Sequence, residues 1–312
     1  MNTNDPSDKI IKRLIQLYNE GEFKILLEET KNLTKQYPRS FIISNIIGAS
    51  YKGLGKTAEA LKAFKKVTEL RPEYPDGHNN MGAVLLELGN LEQALLSFKI
   101  ALSFNPNYAE VYNNIGRVYQ KQNKHEDAII SYNKALTINP NYAEVYNNLA
   151  FIFQKQQKSK EALEALRKAI LINPNYFEAY NNLMDLFEKI NQNKKLEKII
   201  SEANIKFANN LVVQLFYGKY LYNEENYSNA ISVLEGIKFT ENQLHREGSK
   251  CLILAKSYEK IGNYEQAFEY MVIANKERNK LVTNKPLRYE EFFLNKNKDF
   301  FSNFNFGENT NM

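Results

Sequence analysis

The stretch Asn105–Gly116, NPNYAEVYNNIG, returns as NPNYAEVYNNLA from Asn139 and as NPNYFEAYNNLM from Asn173. A looser copy, RPEYPDGHNNMG, begins at Arg71. Outward from these copies the prolines set the period: Pro38, Pro72, Pro106, Pro140 and Pro174 follow one another at intervals of 34 residues. Self-similarity at a fixed spacing of this size marks a stacked repeat array. Each proline lacks a backbone donor and collides with the turn before it, so each closes a helix. The chain reads as an all-α solenoid of about eight helix pairs, with a further helix at the C-terminus.

Within a repeat the first helix, helix A, carries an apolar stripe at i, i+3, i+4 and i+7. In residues 109–142 the stripe is Tyr112, Ile115, Gly116 and Tyr119; in 143–176 it is Tyr146, Leu149, Ala150 and Phe153. A turn follows, with Gly55, Gly89 and Asn123 where a left-handed C-cap is wanted. Helix B then presents a small, a large and a small residue: Ala94, Phe98, Ala101; Ala128, Tyr132, Ala135; Ala162, Leu166, Ala169. Small residues allow close helix approach, and the large one fills the space beside them.

Tyr112, Ile115, Gly116, Tyr119, Ala128, Tyr132, Ala135 and Pro140 together resemble the signature of the tetratricopeptide repeat (TPR), with Tyr or His where that family often has Trp. The resemblance implies a right-handed superhelical solenoid whose A helices line a concave groove. Residues 1–6 are expected to be disordered, 7–40 to be a degenerate capping repeat, and 41–176 to hold four well-formed repeats. Residues 177–281 read as three degenerate repeats, with an insertion of about three residues near His245. In 282–312, Phe293, Phe300, Phe301 and Phe304 share one helical face, which suits a helix capping the stack.

Composition narrows the function. Hydrophobic residues make up 43% and charged residues 25%, with a net charge of +5, as in an ordinary soluble protein. The basic residues are not clustered as nucleic-acid binding requires. The start is polar and no apolar run reaches a membrane span, so a cytoplasmic location away from membranes is expected. Cys251, alone, excludes an internal disulfide and falls on a packing stripe, which favours a structural thiol. Gly53-Leu54-Gly55-Lys56-Thr57 lacks the leading glycine and strand of a phosphate loop and reads as a turn. His78, His125 and His245 lie in different repeats without metal-ligand spacing. No catalytic constellation, metal site or cofactor site is expected in this chain.

The asparagines carry the remaining signal. At about 100° per residue, Asn114 points nearly opposite the buried stripe, and Asn80, Asn148 and Asn182 are its equivalents. Asn79, Asn113, Asn147 and Asn181 flank the same side, as does Asn45. An amide both donates and accepts, so it can satisfy any peptide unit whatever its side chain. A similar ladder in the TPR arm of the O-linked N-acetylglucosamine transferases grips an extended peptide, and the resemblance assigns that role to Asn80, Asn114, Asn148 and Asn182, with Asn79, Asn113, Asn147 and Asn181 beside them in the groove; recent duplication or bonding to the neighbouring helix would also account for them. Glu110, Glu144 and Glu178 open helix A and Lys121, Lys155 and Lys189 close it, as the helix dipole favours. The lysines could also form a basic rail along the groove. The function expected is a non-catalytic scaffold binding a peptide or partner surface in the groove. A second reading comes from residues 262–281 and the Phe-rich tail, which resemble the junction in bacterial TPR-sulfotransferase proteins: the chain would then be the substrate-recognition arm of an enzyme whose catalytic domain lies outside it. Single-stranded RNA suits such a groove poorly, because Asn with alternating Glu and Lys does not match a phosphate backbone.

Overall fold

The computed structural model describes residues 5–239 and 244–281, and every regular element among them is helical. The helices come in eight pairs: α1 (Asp8–Asn19) with α2 (Phe23–Gln36), α3 (Phe41–Gly53) with α4 (Thr57–Leu70), α5 (Pro75–Glu87) with α6 (Leu91–Phe104), α7 (Ala109–Lys121) with α8 (His125–Ile138), α9 (Ala143–Lys155) with α10 (Ser159–Ile172), α11 (Phe177–Lys189) with α12 (Asn193–Lys206), α13 (Leu211–Asn223) with α14 (Tyr227–Glu235), and α15 (Leu244–Lys260) with α16 (Tyr264–Leu281). They form two compact units, one running to Asn182 and the other beginning at Leu183.

A left-handed corner joins the helices of every pair. The corners fall at Gly21, Gly55, Gly89, Asn123, Gln157, Asn191, Glu225 and Gly262, with φ between 53° and 81°. Seven stand 34 residues apart and the eighth 37 after Glu225, which places the extra three residues between Glu225 and Gly262. Between repeats the chain turns on the Asn-Pro-Asn motif. Asn105 Oδ1 accepts from the backbone N–H of Asn107 (3.2 Å), and Asn139 and Asn173 do the same at 3.1 Å. Gly53–Thr57 is such a corner, with Gly55 at φ 70°.

In the first unit the small–large–small residues of helix B are in place. Ala94, Phe98, Ala101, Ala128, Tyr132, Ala135, Ala162, Leu166 and Ala169 are fully buried. Helix A also has a second buried face that the single stripe does not show. Val111 and Val118 of α7 pack on Phe98 and Ala101 of α6, and Val145 and Ile152 of α9 join Tyr132 and Ala135 of α8. A helix A inside a stack is gripped from both sides, by its own helix B and by the preceding one.

Of the N-terminal residues expected to be disordered, Asp5 and Pro6 are described and held. Pro6 is buried, and Ser40 Oγ donates to Asp5 Oδ1 while accepting from the N–H of Ile43 (3.2 Å). A hydroxyl can do both, so one N-cap fixes the entering chain as well as the start of α3. The proposed Phe-rich capping helix lies outside the described residues.

Candidate functional site

The asparagine pairs join one helix A to the next. Asn80 Nδ2 donates to Asn45 Oδ1 (3.0 Å), Asn114 to Asn79 (2.9 Å), Asn148 to Asn113 (3.0 Å) and Asn182 to Asn147 (2.8 Å). The accepting amide donates in turn to the same neighbour: Asn79 Nδ2 to Glu110 Oε1 (2.8 Å) and Asn113 Nδ2 to Glu144 Oε1 (3.1 Å). Glu110 and Asn114 lie one helical turn apart, so a single amide clasps two side chains of the next helix A.

This corrects the groove assignment of Asn79, Asn113, Asn114 and Asn147; of the four-membered ladder itself, Asn114 is enclosed. Asn79 and Asn113 are 1% exposed, Asn114 4% and Asn147 8%. Amides so enclosed, and already bonded to neighbours, hold the stack together and are not available to grip a ligand. The physical reason is the second buried face of helix A, which narrows its free sector and draws the first asparagine of each pair inward. Asn80, Asn148 and Asn182 remain half-buried, and their carbonyl oxygens accept no hydrogen bond among the described residues. Asn181 is also half-buried.

The acids at the start of helix A serve this network as well as the helix dipole. Tyr108, from the end of the preceding repeat, donates to Asp76 Oδ1 at 2.7 Å. Its counterpart Tyr142 has its phenol pushed up to about 12, first by burial and then by Glu144 and Glu110. Burial likewise lifts Tyr176 to about 12, with Glu144 and Glu178 adding to it. Arg117 lies among them and donates to Asn114 Oδ1 (3.3 Å).

What remains free on this face is cationic and aromatic. Lys121 and Lys155 are exposed and form no ion pair among the described residues. Lys155 stands over the ring of Phe151, 5.3 Å from its centroid, and that ring is 39% exposed. Sequence reasoning missed Phe151; the signal was a large apolar side chain where neighbouring repeats carry Ala83 and Arg117. Lys189, the third lysine of the expected rail, is exposed and belongs to the second unit.

Cys251 is 1% exposed and its thiol is pushed up to about 12, chiefly by burial and then by Glu247. Such a thiol is a packing element. No group of three or more His, Cys, Asp or Glu among the described residues could hold a metal ion, and no described helix is long and apolar enough to cross a membrane.

Comparison with known families agrees with this architecture. A family model described as tetratricopeptide repeat matches residues 109–142 and 143–176, and another described as TPR repeat matches 48–89 and 82–123. Residues 48–176 thus carry tetratricopeptide repeats, a protein-interaction scaffold fold. No curated protein matches the sequence. Among solved structures, pilF of Pseudomonas aeruginosa is similar at 22% identity and a TM-score of 0.59, over 72% of this chain and 99% of that one. The APC/C hetero-tetramer Cut9–Hcn1 gives 14% identity and a TM-score of 0.61, over 84% of this chain and 49% of the other, so this chain spans about half of its length. TTC0263, a thermophilic TPR protein in Thermus thermophilus, matches at 18% identity with a TM-score of 0.51, over 59% of this chain and 100% of its own. The likeness is one of fold.

Proposed function

We propose that the first unit holds an extended, acidic segment of a partner protein along its A helices. The observation that carries this reading is the division of labour on that face. The carboxylates Glu110 and Glu144 are committed to the asparagine clasps, whereas Lys121, Lys155 and Phe151 are not committed to a neighbouring repeat. Adjacent packed helices lie about 8–10 Å apart and an extended chain advances about 3.3 Å per residue, so each repeat meets about every third residue of a bound segment.

Magnitudes decide which groups matter. The open carbonyls of Asn80, Asn148 and Asn182 can each add about 0.5–1.5 kcal/mol by accepting a peptide N–H. Three such bonds fall short of the roughly 8 kcal/mol of micromolar binding. Phe151 and the two lysines must therefore supply much of the affinity, and they also supply the choice of acidic over basic segments.

Selection from a displayed random-peptide library, followed by titration of the hits, tests this. Hits should be rich in Asp and Glu, and should bind about tenfold more weakly to Phe151→Ala and to Lys121→Glu with Lys155→Glu, without a change in unfolding midpoint. Hits that bind these variants as tightly as the parent chain would show that the face is not the site.

A further inference from the structure

The second unit departs from the amide pattern in a way that points to its own ligand. The positions equivalent to Asn113 and Asn114 are Leu215 and Phe216 in the next-to-last repeat, and Leu252 and Ile253 in the last. Polar clasps give way to an apolar floor. Above it opens a cavity of about 480 Å³ between the A helices α11, α13 and α15. That volume lies in the range of roughly 300–1,000 Å³ typical of sites for small ligands. Leu215 and Phe216 are nearly buried, whereas Leu252 and Ile253 are only half-buried beneath the opening.

The charges around this floor do not balance. Lys219, Arg246 and Lys256 face Asp185 and Glu188, which leaves one positive charge in excess. Lys219 is paired with Glu188. Asp185 is raised by loss of hydration, an effect that Arg246 opposes. Lys256 is half-buried and has no ion-pair or hydrogen-bond partner among the described residues. A partly dehydrated cation beside an apolar floor is matched by a ligand that brings an anion and an apolar group together.

We infer that this cavity is a second binding site, in which a partner peptide seats a large apolar side chain on Leu215, Phe216, Leu252 and Ile253 and sets an adjacent carboxylate against Lys256. The inference shares with the proposed function the premise that these repeats bind protein segments, but it uses a different unit and different residues. A single side chain set into a cavity fixes register, which the backbone contacts of an extended segment do not.

The test is to titrate short capped peptides into the full chain while following the labelled methyl groups of Leu215, Leu252 and Ile253. The panel carries Phe or Leu beside Glu, with Gln-for-Glu and Ala-for-Phe counterparts. The Glu–Phe peptides should shift these methyls and saturate. The Gln counterpart, or Lys256→Glu in the protein, should weaken binding about tenfold, and the Ala counterpart should abolish the shifts. Lys256→Gln, a milder change, guards against misfolding of the reversed variant and should give a smaller loss of the same sign. Absence of methyl shifts up to about 1 mM, or equal binding by the Gln peptide and by Lys256→Glu, overturns the inference. Phe151→Ala with Lys155→Glu should leave this binding unchanged. If those variants abolish it, the peptide sits on the first unit, and the cavity is overturned as a site while the earlier proposal stands.

Discussion

At the residue scale, the corner positions show what backbone conformation demands of a side chain. Gln157 sits at φ 61° and Glu225 at φ 60°, where four other corners use glycine. A left-handed residue with a Cβ costs about 1–2 kcal/mol, part of which glycine returns through its freer unfolded chain. Gln157→Gly should therefore raise stability by about 0.5–1 kcal/mol, read from the denaturant midpoint at unchanged slope. Tyr142 gives a pH prediction. Its phenol titrates near 12 in the folded chain against 10.0 when unperturbed, so the folded state holds that proton more firmly. The stability it contributes is whole below pH 10 and is lost as pH rises toward 12. Thermal midpoints should fall over that interval, and Tyr142→Phe should make the fall shallower; an unchanged profile would remove Tyr142 as a cause. Gly55, Gly89 and Asn123 made the corners legible in the sequence, and the period extends them to Gln157 and Glu225. The fate of Asn113 was not legible, because one apolar stripe suggests one buried side, whereas Val111 and Val118 create another.

At the scale of the element, the helix pairs that carry Gly48, Gly82, Gly116 and Gly218 close on a contact between that glycine of helix A and the large residue of helix B. A Cβ on Gly116 would stand 2.4 Å from Tyr132 Cε1, and one on Gly82 2.6 Å from Phe98 Cε1. The next repeat resolves the same conflict differently, with Ala150 opposite Leu166, both fully buried. Gly116→Ala alone should cost about 1–3 kcal/mol through overpacking. Adding Tyr132→Leu should cost less than the sum of the two single changes, with a coupling of about 0.5–3 kcal/mol in a double-mutant cycle. Additive effects would mean that the ring moves aside freely. These contacts were readable from sequence because the small–large–small rhythm recurs in register. The helix starts were less so. Ser7 stands at an N-cap without a side-chain cap bond, and α7 and α9 begin after Tyr108 and Tyr142, whose phenols reach into the clasp network instead.

At the scale of the molecule, the period alone disclosed the number of helix pairs, whereas the division after Asn182 shows only once the packing is known. The asparagine clasp has a consequence for how such a chain can change length. Asn79 holds Glu110 and Asn114 just as Asn113 holds Glu144 and Asn148. Excision of residues 109–142 would therefore bring Asn79 to Glu144 and Asn148, and α9 onto Phe98 in place of Tyr132. The shortened chain should still fold cooperatively, with helical signal per residue close to that of the parent; a non-cooperative melt would show that the joints are not equivalent. If they are equivalent, whole repeats can be gained or lost in the gene at a single step, with no new joint to be invented, and the length of the stack becomes a heritable quantity counted in repeats.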